Sequence, residues 1–291
     1  MTSPSSRITL GIACIMGGIF CLTISDTLAK WLGQTYSPLQ TLFLRGLLAT
    51  PVLLLLILFV SGRQALRTDH MGIHLFRGGL NILTAFCFYL SLTLLPQAEA
   101  TAIAFSAPLF VTVISVAFLK ERVPLGSWLA LFVGFAGVML VVRPSPGHMQ
   151  WAALLPLATA LGYAIMMVSA RRITAQESML TTMFYIALGQ AVCAAPLTGW
   201  VWEPVQSEHM LGFIGIALFS TLGLGLITQA FRIAPASIVA PFDYSGLIWA
   251  ALFGWLVWDE IPTLWFYSGA ILIAASGIYV ALFRKREPAA S

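Results

Sequence analysis

Charge is what this sequence has least of. Of its 291 residues only 9% are charged, against about 25% in a soluble domain. There is a single asparagine, Asn81. A chain so poor in polar groups cannot cover a folded surface against water, so its solvent has to be largely lipid. Cysteine is scarce as well. Cys14, Cys21, Cys87 and Cys193 all fall inside apolar stretches and form no Cys-x-x-Cys pair, so they read as small buried apolar side chains. Catalytic signatures are missing too. There is no G-x-x-x-x-G-K-[ST], no H-E-x-x-H and no G-x-S-x-G, which excludes a P-loop ATPase and leaves no nucleophile or metal set for an intramembrane enzyme. The four histidines, His70, His74, His148 and His209, sit at the ends of apolar stretches and are not clustered for a metal. No catalytic residue, metal or cofactor is expected. The net charge of +4 does not imply nucleic acid, because the basic residues are scattered among short connections without interleaved aromatics.

Apolar residues make up 59% of the chain. They fall into ten stretches: 8–32, 38–60, 72–95, 98–119, 124–142, 150–170, 178–201, 210–231, 236–257 and 263–283. Each reads as a helix, since inside lipid every backbone polar group must be satisfied within the segment. Pro38, Pro124, Pro235 and Pro262 at or near the starts suit a first helical turn. The first run is too long for a signal peptide and lacks a small-x-small cleavage site before Asp26. Trp128, Trp151, Trp200, Trp202 and Trp265 lie near stretch ends and read as interfacial anchors. Gly11 with Gly18, Ala130 with Gly134, and Gly269 with Gly277 are spaced to share packing faces. The expected fold class is an all-α integral membrane protein of ten transmembrane helices.

Lysine and arginine set the orientation. With the N-terminus in the cytoplasm, 12 of the 15 basic residues lie inside and only Lys30 and Arg143 outside; Arg45 lies within a span. Both termini are therefore expected in the cytoplasm. The chain also repeats itself. Leu95 to Pro124 recurs in degenerate form as Ala234 to Pro262. Pro96 and Glu121 match Pro235 and Glu260 at 139 positions, and Gly137 matches Gly277 at 140. Lys30, Leu39, Thr41 and Phe43 match Arg171, Leu180, Thr182 and Phe184 at 141. Two halves, 1–143 and 144–291, of five spans each are implied. Five is odd, so the second half crosses in the opposite sense to the first. The charges agree: Lys120-Glu121-Arg122 falls inside, while Asp259-Glu260-Ile261 falls outside and has lost its basic residues. Inverted repeats are typical of secondary transporters, whose sites lie near the midplane at the repeat interface.

These features resemble the drug/metabolite transporter superfamily in its ten-span, EamA-like form. The resemblance rests on Leu75-Phe-Arg-Gly78 leading to Phe88-Tyr89, the turn Leu95-Pro-Gln-Ala-Glu-Ala100, Ala107-Pro-Leu109, Leu119-Lys-Glu-Arg-Val123 and Arg45 in Leu44-Arg-Gly46. The second copy, Ala234-Pro-Ala-Ser-Ile238 with Trp258-Asp-Glu-Ile261, is looser. The aromatic-rich, charge-poor spans look most like the YddG-type amino-acid exporters. The resemblance implies a carrier of small metabolites in the bacterial inner membrane, often an exporter, with spans three, four, eight and nine forming the pathway. Asp243-Tyr244 stands where the first half has Ala104-Phe105, so the two sides of any cavity are chemically unequal.

Ionisable groups inside spans are expensive on insertion scales, about 2.5–3.5 kcal/mol each, and mark candidate sites. Asp26 and Lys30, four apart on one helix face, read as a structural pair, an outer gate or a proton site. Arg45 and Asp243 each lie about 10 Å along a helix, deep enough to hold a substrate carboxylate and ammonium, or to pair with neighbouring helices. Asn81, Tyr89, Tyr163, Tyr244 and Trp249 complete the candidate substrate-binding set; rings with sparse polar points suit small amphipathic ligands. The expected function is a secondary transporter exporting small organic metabolites, amino acids first, by alternating access. A passive channel, a non-transporting scaffold, or an exporter of nucleosides, sugars or lipophilic cations are the alternatives. The expected partners are a small-molecule substrate and the lipid bilayer, with a homodimer left open.

Overall fold

The computed structural model of the chain describes residues 4–60, 62–66, 71–119, 125–143, 151–170 and 179–283. Among the described residues there is no strand. The helices are α1 (Pro4–Leu32), α2 (Pro38–Val60), α3 (Met71–Leu94), α4 (Gln97–Ala104), α5 (Ala107–Leu119) and α6 (Leu125–Val142) in the first half. The second half has α7 (Leu154–Ala170), α8 (Met179–Thr198), α9 (Met210–Ile233), α10 (Ala236–Val239), α11 (Ser245–Trp258) and α12 (Leu264–Phe283). Each apolar stretch of the sequence carries one of these helices, except that two stretches are broken. Among the described residues, five helical segments are long and apolar enough to cross a membrane by length and composition, from Arg7–Leu32 to Ser207–Ile233. Three shorter apolar ones accompany them. Lys120–Arg122, the Pro144–Gly147 link, Arg171, Arg172 and the basic residues from Arg284 onward lie outside the described residues.

Both breaks have a proline as their physical cause. The stretch 98–119 is expected as one helix but stops at Ala104 and restarts at Ala107. Pro108 has no N–H to give the carbonyl of residue 104, and its ring crowds that carbonyl. Phe105 and Ser106 instead close short turns onto Thr101 and Ile103. The stretch 236–257 gives way to a 3-10 segment, Ala240–Tyr244, that begins one residue before Pro241. The two breaks meet: the rings of Phe105 and Tyr244, 139 positions apart in sequence, lie 5.3 Å centroid to centroid.

Helix packing respects the same exchange of halves. α1 packs on α9 as α7 packs on α3, and α5 on α7 as α11 on α1, while α2–α8 and α6–α12 each join a helix to its own counterpart. At α1–α9 the contact is backbone to backbone, since a Cβ on Gly18 would sit 2.8 Å from the Gly223 carbonyl. Its counterpart, at offsets of 141 and 139, is the bond from Thr159 Oγ1 to the Thr84 carbonyl at 3.2 Å. At α2–α8, a Cβ on Gly46 would meet the Ala187 carbonyl and the Ala191 nitrogen, both at 2.8 Å. Small residues that let backbones approach are how helices associate where lipid supplies no hydrophobic drive.

Gly46→Val is expected to force α2 and α8 apart. Overpacking costs about 1–3 kcal/mol, read as a lower apparent Tm of the detergent-purified protein. Gly72, where an added Cβ meets nothing within 4 Å, is the control, and Gly72→Ala should melt with the unaltered chain. Equal melting of both variants would mean that the α2–α8 contact is looser than described.

Candidate functional site

Polar side chains gather at three places in this apolar bundle. The first is a seam at one end. Lys30, near the C-terminus of α1, forms an ion pair with Glu260 in the connection between α11 and α12; the side chains are 9% and 22% exposed. Lys30 Nζ also donates to the Leu95 carbonyl at 3.1 Å and lies 4.8 Å from the centroid of the Trp258 ring. Glu260 Oε2 accepts the backbone N–H of Gln97 at 2.9 Å. Gln97 Nε2 donates to Thr27 Oγ1 at 2.9 Å. Local sequence places Glu260: Asp259 ends α11 in the left-handed region (φ 55), which Asp tolerates, and turns the chain back so that Glu260 N–H meets the Gly254 carbonyl at 3.1 Å. The expected Asp26–Lys30 pair is thus not the one formed, because Lys30 reaches across to a carboxylate of the other half.

The same end carries further cross-half bonds. Gln40, fully buried, grips the backbone of Glu203 through both its amide atoms, at 2.7 and 2.9 Å. Tyr36 Oη meets His209 Nδ1 at 2.9 Å and accepts the Gln206 N–H at 3.0 Å. Arg143 donates to Thr263 Oγ1.

The second place is inside the bundle, among α1, α2 and α3. Arg45 Nη1 donates to Tyr89 Oη at 3.0 Å, and Tyr89 is buried. Asp26 lies within electrostatic range of both, and Ser25 donates to the Ile216 carbonyl at 3.4 Å. Asp26, Arg45 and Tyr89, singled out from sequence, therefore come together. Arg45 also faces a recess of about 30 Å³ between α2, α8 and α9, shared with Gln190, Ser220 and Thr221.

The third place is the break in the second half. Asp243 and Tyr244 sit on the 3-10 segment, and Tyr163 of α7, half exposed, is within electrostatic range of Asp243. Tyr244 packs so tightly on α12 that a Cβ on Gly277 would lie 1.5 Å from its hydroxyl. That hydroxyl has no hydrogen-bond partner among the described residues.

Two sequence candidates stand apart. Trp249 packs edge-on to Phe20 at 5.0 Å in the α1–α11 seam, its indole N–H unpartnered among the described residues. Asn81 lies eight residues before Tyr89 on α3, about 12 Å away, and makes no hydrogen bond among the described residues. Sequence reasoning assigned no site role to Glu260, Gln97 or Gln190. Glu260 carried a signal, being the repeat of Glu121; the other two were uncharged residues in apolar surroundings. A groove of about 600 Å³ between α11 and α12 is lined by Tyr244, Trp255, Phe266, Tyr267 and aliphatic side chains, with no charged group.

Among the described residues the bundle is all helical with sparse polar clusters inside it, and the family and relatives it matches are membrane transporters of small molecules, not enzymes. The profile of the EamA-like transporter family matches residues 9–143 and again 150–283, and the chain belongs to that family, within the drug/metabolite transporter superfamily. It is 26% identical over 287 residues to an S-adenosylmethionine uptake transporter of Rickettsia bellii, covering 98% of each chain. It is 27% identical over 280 residues to the pseudopaline exporter CntI of Pseudomonas aeruginosa, covering 94% of this chain and 97% of that one. A riboflavin transporter of Vibrio cholerae is 29% identical over 230 residues, covering 77% and 76%. A solved crystal structure shares the fold, with a TM-score of 0.65 at 19% identity over 98% of this chain and all of that one.

Removing one partner of a buried ion pair costs about 3–5 kcal/mol, because the other charge is left unmet. The partial exposure of Glu260 places the expected loss at the low end. Glu260→Gln should lower the Tm clearly, and Lys30→Met with Glu260→Gln should recover part of the loss. A double variant as unstable as the sum of the two singles would show that the two side chains act independently.

Proposed function

We propose that this protein carries small zwitterionic metabolites, amino acids in particular, out across the bacterial inner membrane by alternating access between two inverted five-helix halves, 1–143 and 144–291. The observation that carries the reading is that the bundle holds charges of both signs at depth, in two separate places. Arg45 lies beside Tyr89 and Asp243 beside Tyr163 and Tyr244, each amid apolar walls. Arg45 suits a carboxylate. Asp243, at a proline break that frees backbone carbonyls, suits an ammonium. A multiply charged phosphate would need a basic cluster, and the described interior has none near Asp243. The relatives are compatible with this reading: S-adenosylmethionine is itself an α-amino acid. Their names span uptake and export, so the outward direction rests on the YddG-type resemblance.

The inverted arrangement is supported by the exchange symmetry of the helix contacts, by the doubled family match, and by the meeting of Phe105 with its counterpart Tyr244. A residue can touch its own repeat only near an axis relating the halves. With both termini in the cytoplasm, the Lys30–Glu260 seam lies at the extracytoplasmic face. Its bonds cross between the halves, so opening that face means breaking them; the seam is the outer gate, and the conformation described is closed there. Asp26 lies one turn deeper than Lys30 and belongs with the Arg45 group. Asn81 and Trp249 remain proposed pathway-lining residues.

Two measurements test this. In a cysteine-free background, a cysteine at Ser207 should label with an impermeant reagent on intact cells and one at Gln64 should not; the reverse pattern would end the proposed orientation. In proteoliposomes, amino-acid flux should be saturable, and Asp243→Asn should lower it about 10- to 100-fold, the worth of a charge-assisted hydrogen bond of about 1.5–3 kcal/mol. Flux of nucleosides, sugars or lipophilic cations without amino acids would replace the zwitterion reading with another substrate class. Unsaturable flux would favour a channel.

A further inference from the structure

Gln190 has no task in the fold, yet it is built in with care. Its side chain is 2% exposed, and its Nε2 has no hydrogen-bond partner among the described residues. Buried amide donors are almost always paired in native structures. This one faces the recess between α2, α8 and α9 that Arg45 also lines. The close approach described above makes the recess: Gly46 lets the α2 backbone touch Ala187 and Ala191. That contact sets Arg45, beside Gly46, and Gln190, beside Ala191, on the same small space. Thr221 adds a hydroxyl, while Ser220 directs its own onto the Ala217 carbonyl at 3.3 Å. No carboxylate lines the recess; Asp26 acts on Arg45 electrostatically from α1.

We propose that Arg45 and Gln190 form a recognition subsite for a single monovalent anionic group, the carboxylate of the transported molecule. The donor set is one guanidinium, one primary amide and one hydroxyl, which complements two oxygens sharing one negative charge. The size agrees. By the same measure a water needs on the order of 10–15 Å³, so about 30 Å³ takes two oxygen-sized groups and leaves the rest of the substrate outside. Asp26 competes with the incoming carboxylate for Arg45, which keeps the bound anion exchangeable, as a carrier requires. The subsite deepens the zwitterion reading and rests on it for the identity of the anion, but its anion affinity can be measured separately.

Thermal-shift titrations of the full-length, detergent-purified protein with sodium acetate and with sodium chloride, at constant ionic strength, provide the test. Acetate should raise the Tm of the unaltered protein. Gln190→Met, which keeps length and volume and removes the amide's carbonyl and NH2, should need on the order of tenfold more acetate for the same shift. Gln190→Glu, which sets a like charge against the ligand, should abolish the shift. Each variant is compared with its own acetate-free Tm, so a change in stability alone is not scored. An unchanged acetate response in both variants would overturn the subsite. So would a response to chloride equal to that to acetate, which would make it a halide site. If acetate behaves as expected while proteoliposomes move no amino acid, the zwitterion reading falls and the anion subsite stands.

Discussion

A chain with so little polarity has few partners to offer a buried polar group, and the structure turns on that shortage. Lys30 shows it most sharply. Its ammonium can be held out of water only by a carboxylate and further acceptors, and it finds Glu260 and the Leu95 carbonyl. Those partners also need Lys30's end of the bundle. The Leu95 carbonyl is among the unmet acceptors left where α3 ends, and the Gln97 N–H is an unmet donor where α4 begins. Pro96, which precedes α4, gives it no side-chain cap. Glu260, arriving from the other half, supplies one. A single ion pair thus closes two helix ends of the first half with a residue of the second.

The prolines set the next level. Pro108 and Pro241 stop their helices part-way along, in one half each, and the interrupted segments come face to face at Phe105 and Tyr244. A helix broken in lipid leaves backbone groups unmet unless the break faces protein or a cavity. That rule explains why the breaks lie against each other and not at the periphery. It also explains Gly277, whose missing side chain gives Tyr244 the space to lie against α12. The candidate acid Asp243 inherits its position from this arrangement.

The elements were almost fully legible in the sequence, because in lipid a long apolar run has one stable conformation. What was not legible was the choice of partner. Asp26 and Lys30 sit four apart on one helix, a spacing that permits a pair, but spacing says nothing about what arrives from 230 residues away; Glu260 does. The break at Phe105 was visible only as a proline, and a proline inside a span kinks or breaks it according to its neighbours. Arg45, Tyr89, Tyr163 and Asp243 were found because charge and phenol are rare here. Gln190 was visible as a polar residue inside an apolar stretch, but an uncharged amide gains weight as a site only once its N–H is seen to have no partner.

The distribution of polar bonds bears on carrier against channel. In a channel, the contacts that close one end need not concern how the halves sit relative to each other. Here Gln40 with Glu203, Tyr36 with His209, Lys30 with Glu260 and Arg143 with Thr263 all join one half to the other at the same end. Within the bundle, by contrast, the halves meet largely through glycine and other small residues, as at Gly46 and Gly18–Gly223, with hydroxyl bonds from Thr159 to the Thr84 carbonyl and from Ser25 to the Ile216 carbonyl beside them. Polar bonds are directional and break abruptly with rotation, whereas close-packed small residues tolerate modest sliding. A latch rich in side-chain bonds at one face and an interface of mostly small residues through the middle suit the proposed rocking of two halves about a fixed site. In the proposed cycle the free energy to be supplied at each turn is therefore concentrated at the Lys30 end.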